Sequence, residues 1–173
     1  APYSWRYQEA TRATSEIGSH FIDLMGFLTG LEVESVSAVF QTVCPQRKVR
    51  GGIMYPDGAG EPISVTNEDI AAVTFRLKGG ALVSAVFSEI SPGRSNDLSI
   101  EILSADRSIS WCSEAPYHIV TGQKETGLVH RCNAFGGGFT DTFSACFQAF
   151  YTAVEKGQWD PRLAPFHDGA VNT

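Results

Sequence analysis

Three titratable side chains lie close together near the start of the 173-residue chain, within the stretch SEIGSHFIDL at residues 15–24. Glu16, His20 and Asp23 follow one another at spacings of four and three residues. On a helical wheel with Glu16 at the origin, His20 falls at about 40° and Asp23 at about −20°. The spacing therefore predicts that all three side chains share one stripe of a helix.

Apolar residues that recur at helical spacing predict the side of this helix that faces the core, and they are Ile17, Phe21, Leu24 and Leu28. The pattern predicts a helix over about 14–29, with Thr14 or Ser15 as its N-cap and Gly30 as its stop. On the same wheel, the titratable stripe runs beside the apolar one. A stripe in that position suits the wall of a cleft.

The Glu16–His20–Asp23 pattern allows three interpretations. It can be a solvated helix edge whose charges are incidental. It can be a metal site with one nitrogen and two carboxylate ligands, although three ligands on consecutive turns of one helix rarely converge unaided. It can also perform acid–base chemistry, in which His20 exchanges a proton and Glu16 fixes the tautomer of the imidazole.

The composition narrows the class of protein. A net charge of −6 and a pI near 5.1 argue against nucleic acid and against an anionic membrane surface as partners. No run of about 20 apolar residues predicts a membrane span. The four cysteines, at 44, 112, 132 and 146, form no CxxC pair, so we expect free thiols and no thiolate metal site. We expect a cytoplasmic location.

The order of the predicted elements indicates the fold class. After the first helix we predict a strand, a long loop, two hairpins, a further strand and a helix, at 33–43, 45–67, 70–90, 98–111, 116–122 and 140–156. Strands and helices do not alternate, as they would in a parallel sheet. The pattern therefore favours an α+β fold, with one open, mostly antiparallel sheet and helices packed on one face.

Five segments, taken in order, resemble the C-terminal domain of the Gfo/Idh/MocA family of NAD(P)-dependent oxidoreductases. They are WRYQEATRATSEIGSHFIDLMGFLTG, VTNEDIAAVTFRLKGGALVSAVFS, IEILSADRSISW, GGGFTDTFSACFQAFYTAV and APFHDGAVNT. Each motif is weak alone, and the five together cover nearly the whole chain. The resemblance implies a single C-terminal domain over 1–173, truncated at both ends, with a glyceraldehyde-3-phosphate-dehydrogenase-like fold.

The resemblance also implies a division of labour between two domains. In this family an N-terminal Rossmann domain binds NAD or NADP and carries a Glu-Lys-Pro motif whose lysine helps catalysis. This chain has no Gly-rich fingerprint after a strand and no Glu-Lys-Pro motif, so we expect the cofactor to bind mainly to a domain absent from it. We expect the chain alone to be inactive.

The resemblance assigns roles to individual residues. The family carries D-x-x-x-H on this helix, with the histidine as general acid or base; His20 matches the histidine, and Glu16 stands where aspartate is usual. The implied reaction is hydride transfer to or from a hydroxyl or keto group of a sugar, a sugar derivative or an inositol. Candidate substrate contacts are Trp5, Arg6, Asp23 and Arg94, and no metal is implied.

Two other functions of the same fold stay open. The chain could be a non-catalytic sugar-binding module, which the replacement of aspartate by Glu16 would suit. It could also act mainly in assembly, since sheets in this family pair face to face between subunits. Strand 81–90 places Ser84, Val86, Ser88 and Ile90 on one face, and this semi-polar mixture suits an interface between copies of the chain.

Overall fold

The chain divides into two compact units in the computed structural model, which describes residues 5–8, 10–55, 58–132 and 139–172. Unit 1 comprises Ala1–Ser91 and Ala164–Thr173, and unit 2 comprises Pro92–Leu163. From the sequence, one domain over 1–173 was expected. The described strands of unit 1 form two antiparallel sheets and those of unit 2 form one.

Unit 1 holds the predicted first helix and six strands. A 3-10 turn at Trp5–Gln8 is followed by a π-helical turn at Thr14–Gly18, which runs directly into α1 at Ser19–Thr29. The strands are β1 (Val33–Gln41), β2 (Gln46–Arg50), β3 (Ile53–Met54), β4 (Glu61–Ser64), β5 (Ile70–Leu77) and β6 (Leu82–Ser88). The helix α3 (Phe166–Asn172) completes the unit.

Unit 2 is a four-stranded antiparallel meander followed by a long helix. Its strands are β7 (Ser99–Leu103), β8 (Arg107–Cys112), β9 (His118–Gln123) and β10 (Gly127–Cys132), and its helix is α2 (Phe139–Lys156). Four large apolar side chains of α2 are solvent-exposed, and they are Phe143, Phe147, Phe150 and Val154. The rings of Phe143 and Phe147 stack on each other with their centroids 6.3 Å apart.

The α+β class and the antiparallel pairing are confirmed. Instead of one open sheet, the described strands form three sheets, with the orders β1-β5-β6, β3-β2-β4 and β10-β9-β8-β7. Two hairpins were predicted correctly. The first is β5–β6, which turns at Gly79-Gly80, where both φ angles are positive. The second is β7–β8, which turns just before Arg107.

Two segments differ from the sequence-based expectation. The predicted loop 45–67 contains the small sheet β3-β2-β4, whose strands are short and rich in charge, so that they show no apolar alternation. The strand β10 was not predicted either, and all six of its residues are exposed. The predicted stop of α1 is confirmed, because Gly30 adopts a left-handed conformation and its N–H bonds to the Gly26 carbonyl at 2.8 Å.

The core of unit 1 lies between α1 and one face of the β1-β5-β6 sheet. Strict alternation along β5 buries four side chains, those of Ala71, Val73, Phe75 and Leu77. From α1, the Phe21 ring packs against Phe75 and Phe87, with centroid distances of 6.3 and 5.5 Å. Gly18 permits the close approach, since a Cβ there would lie 3.0 Å from the Phe87 ring. The helix therefore packs against the sheet on both sides of His20, at Gly18 and at Phe21.

The opposite face of the same sheet is open to solvent. Register places Val39, Ala72 and Val86 in one row across the three strands, and Ser84 lies opposite Thr74 in the next. Val39 and Val86 are 73% and 69% exposed, although both are apolar. This outer face is a flat mixture of small, polar and apolar side chains.

None of the helices among the described residues is long and apolar enough to cross a membrane.

Candidate functional site

The three titratable residues of the sequence motif lie on a helical segment whose geometry changes between the first and the second of them. Glu16 belongs to the π-helical turn, whereas His20 and Asp23 belong to α1. A π-turn closes its hydrogen bonds over one more residue than an α-turn, so a wheel with about 100° per residue does not hold across Gly18. His20 and Asp23 are exposed, and Glu16 is partly buried. The expected single stripe is therefore interrupted.

Glu16 forms an ion pair with Arg6, from the 3-10 turn that precedes the helix. The Arg6 side chain is 50% exposed and the Glu16 side chain 24%. Within the described part of the chain, no hydrogen bond joins Glu16 to His20. The structure thus brings together two residues that the sequence analysis had placed in different roles, one as a substrate contact and one as the partner of the histidine.

Trp5 and Arg6 open the described part of the chain. Trp5 begins the 3-10 turn, and its side chain lies outside the described residues. The carbonyl of Arg6 accepts a hydrogen bond of 2.6 Å from Nδ2 of Asn67. Arg6 is consequently held at two points, at its backbone by Asn67 and at its guanidinium by Glu16.

Three consecutive polar residues just before β5, Asn67, Glu68 and Asp69, are buried, with 3%, 4% and 0% of their surface exposed. Buried polar groups are costly unless they are hydrogen-bonded. Each member of this triplet has such partners, and each holds a different part of the chain. We refer to them as the buried triplet.

Asp69 accepts hydrogen bonds from three parts of unit 1, which are the loop after β1, the segment before the π-helical turn, and β2. Its Oδ2 receives the backbone N–H groups of Val43 and Cys44, at 2.7 and 2.8 Å. Its Oδ1 receives the guanidinium of Arg12 and, at 3.1 Å, that of Arg47. Burial acts to raise the pKa of Asp69, but the Cys44 N–H, the Arg12 guanidinium and the Val43 N–H outweigh it and hold that pKa below its ordinary value. Asp69 is therefore a carboxylate.

Glu68 anchors the start of the π-helical turn. Its Oε1 accepts the backbone N–H groups of Arg12 and Thr14, at 3.0 and 2.8 Å. These donors lie at the N-terminus of the helical segment, where backbone N–H groups have no partner within the helix. Burial acts to raise the pKa of Glu68, but the N–H groups, led by that of Thr14, hold it below its ordinary value. The anchor is therefore charged.

Arg12 is the cationic centre of this network and is only 3% exposed. Its guanidinium lies over the Tyr7 ring, 4.7 Å from the centroid, in a cation–π contact. The Arg47 guanidinium lies 6.0 Å from the same centroid. Two arginines, one aromatic ring and Asp69 thus connect the segment that leads to α1 with the start of β5, with β2 and with the loop that follows β1.

Arg94, a predicted substrate contact, belongs to unit 2 and has partners close by. Its Nη1 donates to Asp97 at 2.7 Å and to Glu114 at 3.2 Å. Glu114 also accepts the N–H of Ser95 at 3.0 Å. In unit 2, Arg94 thus closes a charged turn. Asp23, the other candidate of the original stripe, is exposed on α1 in unit 1.

The arrangement in unit 1 suits proton transfer to or from a polar molecule. The exposed imidazole of His20 lies on a helix that packs against the core. The half-exposed guanidinium of Arg6 is bound by Glu16, which lies one turn before His20. Among the described residues, no group of three or more His, Cys, Asp or Glu could hold a metal ion. The strands described here pair only antiparallel, which provides no strand–loop–helix cradle for a dinucleotide.

Arg12 and the buried triplet were not predicted as site residues from the sequence. The triplet lies between the predicted loop 45–67 and the predicted hairpin 70–90, where polar residues are ordinarily solvated. The feature that could have indicated the triplet is the run of three hydrogen-bonding side chains directly before β5, where apolar and exposed positions begin to alternate. That run could be connected to Arg6 and Arg12 only through the fold, because 56 or more residues separate the partners.

Comparison with known proteins gives a family and a set of relatives. Residues 1–110 match the sequence profile of the GFO/IDH/MocA C-terminal domain. Levoglucosan dehydrogenase from Pseudarthrobacter phenanthrenivorans is 29% identical over 119 residues, which are 63% of this chain and 30% of that protein. The aligned region of the chain therefore corresponds to less than a third of the length of this relative.

Solved structures show the same fold over almost the entire chain. A levoglucosan dehydrogenase in complex with NADH and L-sorbose is similar at a TM-score of 0.83 and 25% identity, covering 98% of this chain and 48% of that one. An oxidoreductase domain protein from Kribbella flavida is similar at 0.80 and 23% identity, covering 98% and 49%. The chain is thus about half as long as these proteins. It belongs to the GFO/IDH/MocA family, and it carries that family's C-terminal domain.

Proposed function

We propose that this chain is the substrate-binding half of an NAD(P)-dependent oxidoreductase, in which His20 transfers the proton of the reacting hydroxyl group. The observation that carries the proposal is the exposed position of His20 on a helix that packs against the core. His20 lies one turn after Glu16, and Glu16 forms an ion pair with Arg6. Support comes from the relatives, a levoglucosan dehydrogenase among them, and from a solved relative with NADH and L-sorbose.

In the proposed reaction, an alcohol carbon loses hydride and its hydroxyl loses a proton. A nicotinamide held by an N-terminal domain supplies the hydride acceptor, or the donor in the reverse direction. His20 takes the proton from the hydroxyl oxygen as a general base, which leaves a carbonyl group and an imidazolium. In the reverse direction the imidazolium returns the proton to the oxygen.

Arg6 and Glu16 have binding roles in this proposal. The half-exposed guanidinium of Arg6 donates hydrogen bonds to hydroxyl oxygens of the substrate. Glu16 orients Arg6 through the ion pair, in place of the direct contact with His20 that the sequence predicted. Trp5 and Asp23 are further substrate contacts in this proposal.

The proposed substrate is a small polyol. Solved structures of levoglucosan dehydrogenase include one complex with NADH and L-sorbose and another with NADH and levoglucosan. A more distant neighbour of this fold is a homologue of inositol dehydrogenase from Azotobacter vinelandii in complex with NADH and myo-inositol. The full-length protein should therefore be assayed with levoglucosan, free hexoses and myo-inositol, each with NAD and NADP. For each combination of substrate and cofactor, the formation of reduced nicotinamide is followed by absorbance.

A non-catalytic sugar-binding or assembly module of the same fold is the alternative. The two functions differ in one result, which is whether nicotinamide reduction accompanies sugar binding. Binding of a polyol by calorimetry, with no reduction of NAD or NADP across the panel, would favour the alternative. Turnover of any member of the panel would favour the oxidoreductase.

We further propose that the chain assembles with a second copy through the outer face of the β1-β5-β6 sheet. Val39 and Val86 lie there beside serines and threonines, in the mixture that interfaces between subunits favour.

A further inference from the structure

We infer that Asn67 is a positioning residue for substrate binding, because it sets the backbone of Arg6. The inference rests on the proposed function, in which Arg6 binds the substrate. Asn67 lies 61 residues from Arg6 in the chain, and it is the first member of the buried triplet. It touches neither His20 nor Glu16 in any hydrogen bond among the described residues.

Asn67 is itself fixed before it acts on Arg6. Asn67 is 3% exposed, and its backbone carbonyl accepts a hydrogen bond of 3.0 Å from Oγ1 of Thr42. Nδ2 then donates to the Arg6 carbonyl at 2.6 Å. A buried amide in this position has few alternative orientations, because Nδ2 is the only end of the side chain that can donate.

The rest of the triplet restrains the same segment further along. Glu68 holds the backbone at Arg12 and Thr14, and Asp69 holds the Arg12 guanidinium. Three neighbouring side chains therefore fix points that begin at residue 6 and end at residue 14. Burying two carboxylates and an amide together costs free energy, which their hydrogen bonds to this segment help to offset.

As a consequence, the side chain of Arg6 is restrained at both ends. Asn67 fixes the backbone of Arg6, and Glu16 fixes the head group at the surface. Arginine has several rotatable bonds, so a side chain fixed at one end only would lose much of its entropy on binding. Restraint before binding lowers that loss and strengthens substrate binding without altering the chemical step.

The test is a double-mutant cycle in the full-length protein, with Asn67→Ala, Arg6→Ala and the double variant. The probe is the polyol of the assay panel that is turned over fastest. We expect Asn67→Ala to raise KM about three- to tenfold, which is the range of one lost hydrogen bond, and to leave kcat within about twofold. In the Arg6→Ala background, the same substitution should change KM by less than about twofold.

Thr66→Ala is the matched control, since Thr66 is exposed and directly precedes the triplet. It should leave KM and kcat unchanged. Circular dichroism and the melting temperature show whether each variant is folded. If Asn67→Ala does not fold, Asn67→Ser takes its place in the cycle, because its hydroxyl retains one donor in a shorter side chain.

The outcomes separate this inference from the proposed function. An equal rise in KM with and without Arg6 would overturn the positioning role of Asn67 and leave the role of Arg6 intact. An unchanged KM in Asn67→Ala would do the same. An unchanged KM in Arg6→Ala would reject Arg6 as a substrate contact, and with it this inference. A rise in KM that depends on Arg6 supports both.

Discussion

Arg6 forms an ion pair with Glu16, ten residues further along the chain, and the pair joins the 3-10 turn to the π-helical turn that leads into α1. Glu16 is thereby directed at the leading segment and not at His20. We therefore assign separate roles to His20, the proposed acid–base group, and to Glu16, its acidic neighbour in the sequence motif. One moves a proton, and the other holds a binding residue in place.

Replacing Glu16 by Gln tests this division. The change removes the charge of the ion pair and keeps a hydrogen-bonding group of the same length. Exposed ion pairs typically contribute about 0.2–1 kcal/mol, so we expect KM to rise about two- to fivefold while kcat stays close to wild type. Steady-state kinetics of the full-length protein measure both. Glu125→Gln, in an exposed turn of unit 2, serves as the control. A large fall in kcat would instead indicate direct support of His20.

Asp69→Asn should destabilise the fold in a pH-dependent manner. Removing one partner of a buried charge network typically costs about 3–5 kcal/mol, and we expect a loss near the lower end because Asn retains the shape of the side chain. Urea denaturation of the 173-residue chain, followed by circular dichroism, measures the difference. Asp106→Asn, at an exposed turn, should change stability by less than about 0.5 kcal/mol.

The direction of the pH dependence follows from the lowered pKa of Asp69, for which burial is outweighed by the Cys44 N–H and the Arg12 guanidinium. A group whose pKa is lower in the folded state stabilises the protein above its unfolded value, which is about 3.9 for Asp. That stabilisation is lost as the pH falls through the folded pKa. The difference between wild type and Asp69→Asn should therefore be constant near pH 7 and shrink below about pH 4. A difference that grows on acidification would contradict the ionised assignment.

The 173-residue chain alone should not bind nicotinamide cofactors. Its described strands are antiparallel and offer no cradle for a dinucleotide. Isothermal titration with NADH and with NADPH should show no saturable heat, whereas the full-length protein should bind one of them. Saturable binding by the chain alone would place a cofactor site within it and require a different division between the domains.

Self-association through the outer face of the β1-β5-β6 sheet should be sensitive to a charge at its centre. Val86 is 69% exposed on that face, so Val86→Glu should leave the fold intact and shift a dimer or larger oligomer towards monomer. Multi-angle light scattering over a range of concentrations measures the mass. Thr126→Glu, in the turn before β10, should have no effect. A wild-type protein that is monomeric throughout would count against this interface.

Much of the fold could be predicted because local patterns agree with it. The alternation of β5, the glycines of its hairpin and the stop at Gly30 are each encoded by neighbouring residues, and each was confirmed. The small sheet that contains β2 could not be predicted in this way. Three of the five residues in its strand QRKVR are charged and the strand has no apolar alternation, which is typical of a loop.

The candidate site was only partly predictable, for a physical reason. His20 and Glu16 attract attention because titratable residues at helical spacing are visible in the sequence. The π-helical turn that separates their environments has no comparable signature, and the contact between Arg6 and Glu16 depends on how the leading segment folds back. The contact between Asn67 and Arg6 spans 61 residues and is determined by tertiary structure alone.

The most direct test of the account is the effect of His20→Ala on kcat/KM in the full-length protein. General acid–base groups typically contribute about 10²- to 10⁴-fold, so kcat/KM should fall by that factor while cofactor affinity and the melting temperature stay near wild type. His167→Ala, an exposed histidine of α3, provides the matched control and should retain full activity. A His20→Ala protein with activity close to wild type would contradict the central claim, and the helix would then be a solvated edge whose histidine takes no part in proton transfer.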